Sequence, residues 1–248
     1  MNGKAFYSYL SDELFHMTDE WLATKDYHLL IDRLMMVEKE RNPISLGNTI
    51  VFEGERCSGK DTLIERICQK NDGVTPLPRV SDNAAWQRLC IMKKNCYFSV
   101  DDYISGVLLW FSDLSYRLTQ WLKYSPLQPI LINRYIDSLV IIQNSLLKRE
   151  ETDIAVKSYL LKTLEKMFPR PSVTFVLDID IETLLLRMKN CRNRLLSKDE
   201  ISIANDNLAA FRSLNSKEHI HINACMPIDL VTNAVLAYIH ADERWKIF

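Results

Sequence analysis

The chain has 248 residues, 47% of them apolar, and its 31 basic and 32 acidic side chains leave a formal net charge of −1. With 25% charged residues this is the composition of a folded globular domain, not of a disordered, collagenous or disulfide-scaffold chain. The charge balance argues against a broad grip on duplex nucleic acid, and no apolar run approaches the ~18 residues of a membrane span. The first residues, MNGKAFYSYLSDELF, lack the basic-then-apolar order of a secretory signal, so a cytoplasmic protein without a membrane partner is expected. Six cysteines show no C-x-x-C spacing and no histidine at metal-ligand spacing, which fits reduced thiols better than zinc.

In chain order, residues 1–46 read as helical. Ser11 or Asp12 is a candidate cap for a segment carrying Leu14, Phe15, Trp21 and Leu22. A second segment from Asp26 to Glu40 places Leu30, Leu34 and Val37 on one stripe, and Asn42-Pro43 ends it. The region is aromatic-rich, so it packs on something. Thr49–Phe52 is an apolar strand, followed by a loop and a helix from Lys60 to Lys70. Residues 71–82 read as loop, with a short strand near Val80. Helices are predicted over 83–94 and 101–123, a buried strand at Ile130–Ile132, and helices over 136–149 and 152–167. Pro169 and Pro171 break the chain before a buried strand, Val173–Leu177. Then come a helix at Ile181–Asn190, a polar basic segment at 191–199, a helix at 201–213, a strand at His219–Ile222 and a helix at 227–240. His219 and His221 share a face of that strand, with no third metal ligand in view. Strands that are apolar throughout and separated by helices point to a parallel sheet of about five strands covered on both faces.

Glycine is scarce, six in all, about a third of the ~7% usual in soluble proteins. Two of the six fall in the loop after the first strand, Gly54-Glu55-Arg56-Cys57-Ser58-Gly59-Lys60-Asp61-Thr62. This is G-x-x-x-x-G-K between a strand and a helix, the context in which backbone N–H groups and a helix N-terminus cradle phosphates. Lys60 adds a mobile charge for the outer phosphates. The position after the lysine, where a hydroxyl normally ligates Mg²⁺, is Asp61. Its carboxylate can take the metal, since magnesium favours carboxylates, or can stand unneutralised beside the phosphates and weaken binding.

From about residue 49 to 240 the chain resembles the thymidylate kinase family of P-loop nucleoside monophosphate kinases. The likeness runs through Phe52-Glu53-Gly54, Leu108–Phe111, Asn133-Arg134-Tyr135 with Asp137-Ser138, Asp178 to Arg187, the basic pair Arg192 and Arg194, and Ile222-Asn223-Ala224. The resemblance implies an α/β three-layer P-loop kinase domain over 47–248, with a lid at about 188–200 and residues 1–46 as a helical N-terminal extension. It implies ATP with Mg²⁺, and transfer of the γ-phosphoryl group to a (deoxy)nucleoside monophosphate or similar small acceptor. The loop residues Gly54 to Thr62 and Ala224 would bind the nucleotide. Lys60, Arg134, Arg192, Arg194 and Glu53 are the expected catalytic groups. Arg79, Phe111, Arg117, Arg134 and Tyr135 are expected at the acceptor, Phe111 as a stacking face, and Asp61 with Glu53 at the metal. The residues agree with that chemistry, because phosphoryl transfer needs cations converging from several elements. A homodimer is one use of the helical surfaces; burial of that face by the extension is the other.

Besides Asp61, the chain departs from the family pattern at three places: Asn133 replaces an aspartate, Arg56 stands where many members carry an aspartate reading the acceptor sugar, and Ser115 occupies the place of an arginine. Two rival readings remain. Glu53 also matches the glutamate that deoxynucleoside kinases use as general base, which would make the acceptor a nucleoside or a modified base. Alternatively, the changes at Asp61 and Asn133 leave a nucleotide-binding module that acts through a partner.

Overall fold

In chain order the elements of the computed structural model are α1 (Gly3–Thr24), α2 (Tyr27–Lys39), β1 (Leu46–Glu53), α3 (Lys60–Lys70), β2 (Thr75–Pro76), α4 (Ala84–Met92), α5 (Tyr103–Tyr124), β3 (Ile130–Asn133), α6 (Ile136–Leu147), α7 (Ile154–Met167), β4 (Pro171–Asp178), α8 (Ile181–Arg192), α9 (Lys198–Arg212), β5 (His219–Asn223) and α10 (Ile228–Ala241). The structure describes residues 3–41, 46–71, 74–77, 82–92, 102–124, 129–148 and 153–242. They fall into two units, one of Met1–Ser45, Pro78–Pro126 and Ile142–Pro169, the other of Leu46–Leu77, Leu127–Ile141 and Arg170–Phe248. Among the described residues, no helix is long and apolar enough to cross a membrane.

The second unit is the α/β layer. Its sheet is parallel with strand order β2-β3-β1-β4-β5, and β2 contributes only a two-residue edge. Ile50, Val51 and Phe52 of β1 and all of β3 are buried, as strands covered on both faces require. Phe52 lies opposite Phe175 in register, their rings stacked 5.6 Å apart. Alternation then divides the faces. Phe175 and Leu177 join the core formed with α3, α8 and α10, whereas Val176 packs with Ile141 and Phe211.

The first unit is helical. Phe6, Tyr7, Leu10, Leu14, Met17 and Trp21 form the buried stripe of α1, which packs along α5. Two serines let the backbones approach closely: Ser11 Oγ donates to Ser112 O at 3.0 Å and Ser112 Oγ to Ser11 O at 2.7 Å. Tyr7 donates its hydroxyl to Met167 O at 2.9 Å.

Several boundaries differ from the sequence reading. Neither Ser11 nor Asp12 caps a helix, because α1 runs unbroken through both and Ser11 spends its hydroxyl on α5. The cap is Asp26, which accepts from the His28 and Leu29 amides at the start of α2. Val80, where a short strand is expected, lies outside the described residues; a two-residue strand forms at Thr75–Pro76. Pro171 does not precede β4 but begins it, a place where its missing N–H costs little. The basic segment at 191–199 narrows to residues 193–197 between α8 and α9.

Candidate active site

The chain turns sharply after β1. Gly54 (φ +133°) and Gly59 (φ +99°) occupy backbone conformations that disfavour side chains, and Cys57 is held at φ +57° between them. At Gly54 the need is also spatial, since a Cβ would stand 2.7 Å from the Leu177 carbonyl oxygen on β4. Lys60 opens α3 and folds its ammonium back into the loop, donating to Gly54 O (2.9 Å), Glu55 O (2.7 Å) and Ser58 Oγ (2.9 Å). Burial, then the charge of Arg134, pulls the lysine well below its usual pKa; Glu55, Glu53 and Asp61 act the other way. An anion at this point would relieve the conflict between the two cations.

Two side chains brace the loop from outside. The buried Glu55 carboxylate accepts from its neighbour, Arg56 N (2.6 Å), and from Asn207 Nδ2 on α9 (2.6 Å). Glu55 thus joins α9 to the loop, one carboxylate oxygen serving each. Arg187 on α8 donates to Cys57 O (3.1 Å) and to Ala224 O (2.7 Å), tying the loop to the turn after β5. Cys57 Sγ also meets Met188 Sδ at 3.3 Å. Neither brace is visible in the sequence: Asn207 has no local signal, and Arg187 stands out only through the family pattern.

Asp61 and Asn133 come together. Asn133 Nδ2, at the end of β3, donates to Asp61 Oδ1 in the first turn of α3, while Asn133 Oδ1 is buried with no hydrogen-bond partner among the described residues. A carboxylate beside an orphaned carbonyl oxygen suits a hard cation that completes its shell with water and phosphate oxygens. No group of three or more His, Cys, Asp or Glu side chains among the described residues forms an all-protein cage.

Glu53 is fully buried and its oxygens are engaged. Oε1 accepts from Tyr135 N (2.8 Å) and Ser138 N (3.2 Å), and Oε2 accepts from Ser138 Oγ. The carboxylate therefore closes the N-terminus of α6, which takes three of its four lone-pair directions. Either role expected for Glu53, metal ligand or base, would fall to the one remaining lone pair of Oε2 on a fully buried side chain. Ser138 Oγ accepts in turn from Arg134 Nη1 (3.2 Å), and Arg134 sits at φ +66° just past β3. Asp137, beside them, accepts from Arg170 Nη1 and His219 Nε2, each at 3.0 Å, so the histidine serves a carboxylate and not a metal.

Burial, with the Asp137 charge adding to it, pushes the Glu53 carboxyl up from 4.5 to about 7 against the pull of Ser138, Tyr135 and Arg134. The folded protein holds this proton to higher pH than the unfolded chain, so the stabilisation is complete below about 4.5 and is lost as pH rises toward 7. The thermal midpoint of the wild type is expected to decline across that window relative to Glu53→Gln, which cannot titrate there. Parallel midpoint-versus-pH curves would remove Glu53 as the source.

Other expected site residues are placed elsewhere. Arg79 lies outside the described residues. Phe111, in the helical unit, is completely buried with its ring centroid 5.4 Å from that of Phe168, so it is core and offers no stacking face. Arg117, in the same unit, is buried and donates through Nε to Asp113 at 3.0 Å. The Tyr135 side chain is buried and its amide serves Glu53. Thr62 and Arg192 are exposed, and Arg194 pairs with Glu200 at the start of α9.

No family model matches the chain. The probable thymidylate kinase of Sulfolobus acidocaldarius is 29% identical over 204 residues, spanning 80% of this chain and 94% of that protein. The thymidylate kinase of a Sulfurihydrogenibium species is 30% identical over 162 residues, spanning 62% of this chain and 76% of that protein. Among solved structures, a thymidylate kinase from Candida albicans superposes with a TM-score of 0.60 at 19% identity, over 80% of this chain and 93% of that one. A deoxyadenosine kinase from M. mycoides with bound dATP gives 0.58 at 16%, over 77% and 99%. A glycine loop closed by its own lysine, on a parallel sheet shared with these kinases and with sequence identity that reaches 30%, leaves one assignment: the chain belongs to the thymidylate kinase family of P-loop nucleotide kinases.

Proposed function

We propose that the chain transfers the γ-phosphoryl group of ATP to a nucleoside monophosphate, with thymidylate, the acceptor in the relatives' names, as the first candidate. The observation that carries this reading is the loop Gly54–Lys60 folded around its own lysine, with Arg134 close enough to depress that lysine's pKa. Backbone N–H groups of the loop and of the first turn of α3 bind the donor phosphates. Lys60 stabilises the charge that builds on the transferring group, and Arg134 clamps the phosphate of the acceptor beside it. Arg194 exchanges Glu200 for phosphate oxygens when the lid at about 188–200 closes, and Arg192, already exposed, joins it. Asp61, with Asn133 Oδ1 beside it, would hold Mg²⁺, which when bound supplies charge neutralisation at the phosphates. A monophosphate acceptor arrives already anionic and needs no base, which agrees with a Glu53 that is fully buried and tied to the start of α6.

The test is ATP consumption over a panel of nucleosides and nucleoside monophosphates. Turnover with thymidylate and none with thymidine is the expected result; turnover with nucleosides alone would overturn it. For the metal, calorimetry of ATP binding with and without Mg²⁺ is the measurement. Asp61→Ala is expected to lose the Mg²⁺-dependent gain in affinity by at least the ~10–100-fold that loss of an outer-shell partner costs. An unchanged magnesium dependence would take Asp61 out of the site.

A further inference from the structure

A hydroxyl group has one proton to give. Ser138 gives its proton to Glu53 Oε2, so what it presents to Arg134 Nη1, 3.2 Å away, is a lone pair. The carboxylate cannot rotate away, because Oε1 is pinned by the Tyr135 and Ser138 amides. The Arg134 backbone is fixed as well: its amide donates to Phe52 O at 3.0 Å, and its φ of +66° leaves a non-glycine residue little freedom. From this chain of donors and acceptors we infer that Ser138 is a positioning residue for the phosphoryl transfer, its hydroxyl oriented by Glu53 so that it holds the guanidinium of Arg134 in its working direction. The inference rests on the reading of Arg134 as a phosphate-binding group. It assigns Glu53 a task distinct from that of a base or a metal ligand: the carboxylate decides which way the serine proton points.

The geometry makes Glu53→Gln informative despite its small size. An amide nitrogen in place of Oε2 donates to Ser138 Oγ, and the displaced hydroxyl proton then faces the guanidinium. Ser138→Ala removes the contact outright, whereas Ser138→Thr keeps the hydroxyl.

The experiment is steady-state kinetics of the full chain at pH 8 with ATP and thymidylate, on these three variants, on Arg134→Ala, and on Arg134→Ala combined with each. Arg134→Ala is expected to raise the thymidylate KM. Ser138→Ala and Glu53→Gln are each expected to raise it about tenfold, the scale of one hydrogen bond to a charged group, with kcat changing less. Ser138→Thr should retain the wild-type KM, and neither Ser138→Ala nor Glu53→Gln should add anything to Arg134→Ala. An unchanged KM in Ser138→Ala, or effects that add to those of Arg134→Ala, would overturn the inference while leaving Arg134 in the site. No effect of Arg134→Ala itself would overturn the role of Arg134, and this inference with it. Thermal midpoints accompany each variant; should Glu53→Gln fail to fold, the Ala and Thr replacements of Ser138 carry the decision.

Discussion

Lys60→Ala is expected to lower kcat by about 10²- to 10³-fold, the scale of losing one preorganised donor at a site of developing charge. The ammonium is buried, yet its proton is held less firmly than that of an exposed lysine, because burial and Arg134 both work against the charge. A polyphosphate between the two cations removes that penalty, and more so as charge spreads over the transferring group, so the loss appears in kcat and not only in ATP affinity. The same conflict limits the structural damage. Removing the lysine frees Gly54 O, Glu55 O and Ser58 Oγ of their donor, but it also removes a disfavoured buried charge. The thermal midpoint is therefore expected to move by no more than about 3 °C. Single-turnover kinetics with saturating ATP separate the effects, and a variant within threefold of the wild-type rate would refute the role of the lysine.

Gly54→Ala is expected to be the more damaging change for the fold. At φ +133° any L side chain is strained, and the added methyl would stand 2.7 Å from a backbone oxygen of the neighbouring strand, where no flexible group can yield. Together these cost at least about 3 kcal/mol, a fall in thermal midpoint of roughly 6–12 °C for a protein of this size. Gly59→Ala gives the comparison. Its φ is +99°, but its nearest non-neighbour is Ile228 Cδ1 at 3.7 Å, so strain acts without a clash and a loss of about 1–2 kcal/mol is expected. Thermal denaturation of both variants checks the order; equal midpoints would mean that the Leu177 contact relaxes at no cost.

Much of this was legible in the residues because local rules sufficed. Continuous apolar runs at Ile50–Phe52 and Ile130–Ile132 gave parallel strands, and the glycine spacing with a lysine gave the loop. Asn133 and Asp61, 72 positions apart, could be paired only through the order of motifs along the chain; the structure places them in hydrogen-bond contact. Other features carry a local signal of a different kind. Ser197 followed by Glu200 is a capping box, and it marks the start of α9. Still others had none. Phe111 and Leu108 sit at helical spacing whether the ring is core or binds a base, and only packing against Phe168 decides between them. Glu53 is likewise ambiguous in one dimension, since the amides it accepts from lie 82 and 85 positions away.

Asn207 and Arg187 grip the phosphate loop from two helices, one through the Glu55 carboxylate and the other through the Cys57 carbonyl. A cradle immobilised in this way loses its conformational entropy during folding, before any nucleotide is present, so that ordering cost is absent from the binding equilibrium. Nucleotide capture by the loop itself should then proceed as an encounter with a ready-made receptor, and any slow step after mixing belongs to segments outside it.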